Sequence, residues 1–133
     1  MSRKTARDSA FKLIYQIPFH GDNDVSLTMD NFKCTDEYAK LTEADMDYVS
    51  ACVNGCFDNL THIDSRVEGS LKNWKIERLS RVNLAILRLS LSEMEYADVP
   101  FQVSVNEAVE LAKKYSDDDA PSFVNGVLAD IIK

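Results

Sequence analysis

The most apolar part of the chain is the segment from Val82 to Met94, which predicts a buried helix. Its apolar side chains occupy nearly every angle around a 3.6-residue turn: Val82, Leu84, Ala85, Ile86, Leu87, Leu89, Leu91 and Met94. A helix that is apolar almost all round packs in the middle of a protein. The run is too long for a typical strand, and no Gly or Pro occurs in it before Pro100. We therefore predict a central core helix within 74–96, whose charged members reach solvent or pair with polar ends of neighbouring helices: Arg88, Glu93 and Glu95.

Helical periodicity also marks the N-terminal part of the chain. Residues 3–17 place five apolar side chains on one face: Ala6, Ala10, Leu13, Ile14 and Ile17. Pro18 is expected to end this helix, because proline disfavours helical geometry in the residue before it. A weaker pattern over residues 25–32 predicts a second, short helix.

In the middle of the chain, two threonines mark predicted helix starts. Thr42 is predicted to cap a helix with Asp45 as its acidic third residue, followed by an apolar stripe from Met46 to Leu60. Thr61 is predicted to cap the next helix, which runs to about residue 71.

After Pro100 the pattern predicts two more helices. Ser104 and Glu107 have capping-box spacing and are expected to open the first of them. The turn 116–119 then leads into the last helix, whose buried stripe is Val124, Val127, Leu128 and Ile131. Gly126 lies inside this helix, where glycine costs roughly 1 kcal/mol relative to alanine. We therefore expect another helix to approach closely at Gly126, where a side chain would not fit.

No strand pattern of period two occurs, so the predicted fold is all-α. We expect about seven helices in two small helical bundles that share the buried central helix. The length of 133 residues fits a single domain, 1–133, with subdomains of approximately 1–73 and 74–133.

The charge distribution gives the first indication of function. The net charge of −7 argues against a protein that coats nucleic acid by bulk attraction. Before Leu13, however, a single acid, Asp8, faces four basic residues: Arg3, Lys4, Arg7 and Lys12. The spacing of Arg3, Lys4 and Arg7 predicts that they lie on the exposed side of the first turns. Cations at a helix N-terminus interact unfavourably with the helix macrodipole. An anion-binding face would explain why these three cations lie there. The alternative is that they are simply exposed to solvent.

Little in the sequence suggests metal binding or catalysis. Cys52 and Cys56 stand four residues apart and could share a metal with His62, yet both fall on an apolar stripe, which favours buried thiols. Three cysteines and no transmembrane or signal segment indicate a cytoplasmic protein with reduced thiols. The sequence contains no glycine-rich phosphate loop, nucleophile elbow or HExxH motif. We therefore expect no enzyme activity, no metal and no cofactor.

Three segments resemble the NusB family of transcription antitermination factors. They are the N-terminal RKTARDSAFKLIYQ, the core WKIERLSRVNLAILRLSLSEMEYADVP, and VSVNEAVELAKKYSDDDAPSFVNGVL. The resemblance implies a two-bundle helical protein that pairs with a small-subunit ribosomal protein, NusE, and binds boxA RNA. The pair joins the RNA polymerase antitermination complex and suppresses termination, notably in ribosomal RNA operons.

The resemblance also implies roles for individual residues. By position, the RNA-binding residues are Arg3, Lys4, Arg7, Asp119 and Phe123, and the partner-binding residues are Tyr15, Glu77 and Asn83. An aromatic at the edge of the last helix could stack on an unpaired base, although Phe123 could also be a core residue.

Two other classes of function remain open at this point. One is a helical protein–protein adaptor that does not bind RNA directly. The other is the RNA-binding domain of a ribosomal RNA cytosine methyltransferase, whose catalytic domain this sequence lacks.

Overall fold

The computed structural model describes residues 2–17, 25–72 and 75–132, with the side chains of Ser2 and Arg3 left out. Pro18 and the expected boundary between residues 73 and 74 lie outside these ranges. The described part is helical and contains no strand. Its elements are α1 (Ser2–Tyr15), α2 (Val25–Phe32), α3 (Asp36–Ala39), α4 (Glu43–Asp58), α5 (Leu60–Gly69), a 3₁₀ helix (Ile76–Arg78), α6 (Arg81–Tyr96), α7 (Phe101–Tyr115) and α8 (Ala120–Ile132).

The predicted all-α fold is confirmed, and the described residues form eight α-helices where about seven were expected. The additional element is α3, a single turn in a stretch where the apolar pattern is weak. Thr35 begins it, because its hydroxyl accepts a hydrogen bond from the amide of Tyr38. A local cap is sufficient to form such a turn, and hydrophobic periodicity cannot detect it.

The predicted core helix is confirmed as α6, which both bundles share. Along it, consecutive side chains from Leu84 to Glu93 are buried. Helix α6 packs against α1, α4, α5, α7 and α8. None of the described helices is long and apolar enough to cross a membrane.

Two of the three predicted capping residues, Thr61 and Ser104, do not cap a helix. Thr42 caps α4 as predicted, with its hydroxyl 3.1 Å from the amide of Asp45. Helix α5 begins at Leu60, one residue before Thr61. Helix α7 begins at Phe101, so Ser104 lies inside it with a buried side chain. Its hydroxyl donates to the carboxylate of Glu93 instead of capping a helix, because that buried acceptor lies opposite.

The two cysteines that stand four residues apart in α4 are buried thiols, as their position on the apolar stripe indicated. Cys52 and Cys56 are both fully buried in the core, and burial raises the pKa of the Cys56 thiol to about 11. His62 is exposed and lies near Glu95 instead. No group of three metal-ligating side chains occurs among the described residues.

The glycines of α4 and α8 differ in what surrounds them. A Cβ added at Gly55 would lie 2.4 Å from Cδ2 and 2.6 Å from Cγ of Tyr96, so α4 and the end of α6 touch there. A Cβ at Gly126 would have nothing within 4 Å. The close helix approach predicted for Gly126 is therefore wrong, and Gly55 is where one occurs.

This difference predicts opposite effects of the same substitution. Gly55→Ala is expected to lower the free energy of unfolding by about 1–3 kcal/mol, because the base of the Tyr96 side chain must shift. Gly126→Ala is expected to raise it by up to about 1 kcal/mol through helix propensity. Urea unfolding of both variants measures the difference. Equal stabilisation of the two would contradict the close packing of α4 on Tyr96.

Candidate RNA and partner interfaces

A buried polar cluster holds the N-terminal half of α1 against α4, α6 and α7. At its centre is the carboxylate of Glu93 in α6, which is 1% exposed. It accepts hydrogen bonds from Arg7 Nε at 3.0 Å, from the Tyr48 hydroxyl at 2.5 Å and from Ser104 Oγ at 2.6 Å. Donors from three helices thus satisfy one buried acid, and this fixes the position of α1.

Arg7 is a member of this cluster, so its predicted exposed position is wrong. The residue is 5% exposed, and Nη1 lies 3.6 Å from Glu107 in addition to the bond with Glu93. Burial by itself lowers the pKa of Arg7, but the negative charge of its neighbours offsets this and leaves the pKa raised. A buried cation requires such partners, and the apolar face of α1 supplies the burial.

Lys4 is exposed and lines a cleft between α1 and α7. The cleft has a volume of about 310 Å³ and is lined by Lys4, Thr5, Arg7, Asp8, Glu107, Glu110, Leu111 and Lys114. Its rim is of mixed charge, and Lys114 Nζ lies 3.3 Å from Asp8. Burial raises the pKa of Asp8, but hydrogen bonds from Tyr115 and Lys114 outweigh this effect, and the pKa is lowered. An anion can therefore approach Lys4, but the acidic side chains of the cleft weaken the electrostatic attraction between them.

The second group of predicted RNA residues lies at the start of α8. A groove between α7 and α8 shares Glu110 with the cleft, and a shallow depression beyond it shares Ser122 with the groove. Phe123 lines that depression beside Lys72 and Gly126. Lys4 and Phe123 therefore line different concavities, and the groove between α7 and α8 adjoins the first through Glu110 and the second through Ser122.

Phe123 lies at the edge of the core, as predicted. Its side chain is half-buried and packs against the core, whereas Val124 is fully buried. Asp119 is exposed immediately before α8, and its backbone carbonyl accepts a hydrogen bond from the amide of Phe123 at 3.2 Å. Phe123 is therefore partly accessible in the depression, and the hydrogen bond to Asp119 belongs to the turn beside it.

Of the predicted partner residues, Tyr15 lies at the other end of α1, whereas Glu77 and Asn83 lie in and after the 3₁₀ helix. Tyr15 is the last residue of α1 and is 37% exposed. Arg81, the first residue of α6, stacks its guanidinium 4.6 Å from the centre of the Tyr15 ring. Two residues on, the Asn83 side-chain oxygen accepts a hydrogen bond from Ser116 at 2.8 Å. Glu77 is exposed in the 3₁₀ helix that precedes α6.

Sequence reasoning missed several residues that organise these surfaces. The role of Glu93 was not found, because its partners lie on three other helices and carry no local signal. Arg81 could have been noted as a cation two residues before Asn83, and Lys114 as a cation at the end of the helix that carries Tyr115. Their positions over Tyr15 and beside Asp8, however, depend on the packing of α6 and α7 against α1.

These features define an all-helical protein with open surface clefts around a shared core helix. The NusB family model matches residues 4–133, and this chain belongs to the NusB family. It is 41% identical to the Transcription antitermination protein NusB of Clostridium botulinum, over 99% of this chain and 100% of that protein. It is 43% identical to the protein of that name from Ruminiclostridium cellulolyticum, over 100% of this chain and 90% of that protein.

Solved structures agree with the family assignment. NusB of T. maritima superposes with a TM-score of 0.85 at 30% identity, over 98% of this chain and 90% of that one. A chain in the crystal structure of the antitermination factors NusB and NusE in complex with dsRNA superposes with a TM-score of 0.82. That match is also 30% identical and covers 98% of this chain and 95% of that one.

Proposed function

We propose that this protein is a transcription antitermination factor that binds boxA-type RNA together with the small-subunit ribosomal protein NusE. In this role it joins RNA polymerase in the cytoplasm and suppresses termination, notably in ribosomal RNA operons, without catalysing a reaction. The observation that carries the proposal is the full-length match to relatives named for antitermination. A chain of the same fold also occurs in a NusB–NusE complex with RNA.

The RNA surface we propose runs from Lys4 across α7 to Phe123. Lys4, with Arg3 before it, offers charge to phosphate groups, and Phe123 offers an aromatic edge for stacking on a base. Asp119 shapes the turn beside Phe123. The RNA contact implied for Arg7 stays a prediction; its pairing with Glu93 and Glu107 supports a role in holding α1 in place.

The mixed charge of this surface predicts weak binding by the protein alone. If the isolated chain neutralises about two phosphates, its log–log salt slope for single-stranded RNA is about −1.4, at roughly −0.7 per phosphate. A basic ribosomal protein beside it enlarges the cationic surface, so the pair is expected to bind more tightly and with a steeper slope. Filter binding of boxA RNA at several salt concentrations, with and without the ribosomal protein, measures both quantities.

The control is a scrambled RNA of the same length, which separates recognition of boxA from general attraction to phosphate. Lys4→Ala is expected to weaken binding, and Lys40→Ala removes an equal charge from the exposed end of α3. Binding that is equally tight without the ribosomal protein would contradict the shared surface. Partner binding with no RNA binding under any condition would identify a protein–protein adaptor instead.

A further inference from the structure

The end of α1 is held in place by two arginines of α6. Tyr15 is the last residue of the helix, so its carbonyl has no partner within α1. Arg81 Nη2 donates a hydrogen bond to this carbonyl at 2.8 Å, and Arg88 Nη1 donates to the carbonyl of Ile17 at 3.2 Å. Cations are favourable at a helix C-terminus, where the macrodipole is negative.

Arg81 also restricts the tyrosine side chain. Its guanidinium lies 4.6 Å from the centre of the Tyr15 ring, while the Phe11 ring lies 6.2 Å away within α1. One arginine therefore holds both the backbone and the ring of an exposed aromatic residue. Arg88, by contrast, is buried and bound through two nitrogens to Asp64.

We propose that Arg81 is a positioning residue for binding of the ribosomal protein, acting through Tyr15. This inference rests on the proposed partner surface, because it requires Tyr15 to contact that protein. Tyrosine is a frequent anchor of protein interfaces, and a side chain held in its bound conformation loses less entropy on binding. Arg81 makes the anchor rigid before the partner arrives.

The size of the effect follows from the freedom that Tyr15 regains without Arg81. Ordering one interface side chain costs about 0.5–1.5 kcal/mol, which corresponds to a loss of about two- to tenfold in affinity. Arg81→Ala is expected to weaken binding of the ribosomal protein by this factor. Arg81→Lys keeps the cation near the ring but lacks the planar fork of donors, so it is expected to recover part of the loss.

The decisive experiment is a double-mutant cycle, measured by calorimetric titration of the full chain with the ribosomal protein. The variants are Tyr15→Ala, Arg81→Ala and the double variant, with Lys40→Ala as the control that removes an equal charge elsewhere. If Arg81 acts through Tyr15, Arg81→Ala changes the affinity by less than about twofold once Tyr15 is absent. Thermal melts of each variant show that the fold is kept.

The outcomes separate this inference from the proposed function. If Tyr15→Ala weakens binding and Arg81→Ala does not, the positioning role is overturned and the partner surface stands. Additive losses would show that Arg81 acts independently of Tyr15, which also overturns the positioning role. If neither variant changes the affinity, Tyr15 is not in the partner interface, and the proposed surface fails together with the inference.

Discussion

Glu93→Ala is expected to lower the free energy of unfolding by about 3–5 kcal/mol, one of the two largest effects in this protein. The substitution removes the acceptor shared by Arg7, Tyr48 and Ser104. Among the described residues Arg7 would then keep Glu107, 3.6 Å away, as its remaining ion-pair partner, and two buried hydroxyls would lose an acceptor. Chemical denaturation followed by circular dichroism measures the loss.

The matched control replaces both charges of the pair. Arg7→Met combined with Glu93→Leu leaves no buried charge unpaired, and such replacements are often close to neutral. The double variant is therefore expected to be more stable than Glu93→Ala alone. If the double variant were as unstable as the single one, the loss would come from the packing of α6 or from the hydroxyls of Tyr48 and Ser104, and not from the unpaired cation.

Val124→Asp is expected to lower stability by several kcal/mol and to unfold the domain, because it buries a carboxylate without a partner. Its neighbour Phe123 is half-buried, so Phe123→Ala is expected to lower stability only by about 1 kcal/mol. The same variant is expected to weaken RNA binding by about tenfold, through the loss of base stacking. Thermal melts and RNA titrations on both variants test the two effects.

Two results would contradict this assignment of Phe123. A loss of stability of about 3–5 kcal/mol in Phe123→Ala, as for a core truncation, would make it a core residue. Unchanged RNA affinity in a folded Phe123→Ala variant would remove it from the RNA surface. Gly126→Ala is a useful reference for the RNA titration, because it alters the same depression without removing an aromatic ring.

Much of the fold could be predicted from the sequence, because a helix buried on one face carries apolar residues at a period of 3.6 and a central helix is apolar nearly all round. The apolar run after Val82 predicted α6, and weaker stripes predicted α1, α4 and α8, with ends that agree to within a few residues. The cap at Thr42 was also predictable, since its bond joins residues three apart. Family resemblance supplied the candidate site residues, which composition and spacing could not.

What only the tertiary structure decided are the partners of the polar residues. Lys4 and Arg7 are both cations of the first helix, yet one is exposed in a cleft and the other is 5% exposed against Glu93. Ser104 has the spacing of a cap, but Glu93 receives its hydroxyl. Arg81 lies 66 residues from Tyr15 and meets it only after α1 packs on α6. Periodicity records which face of a helix is buried, whereas a long-range hydrogen bond depends on which helix lies opposite.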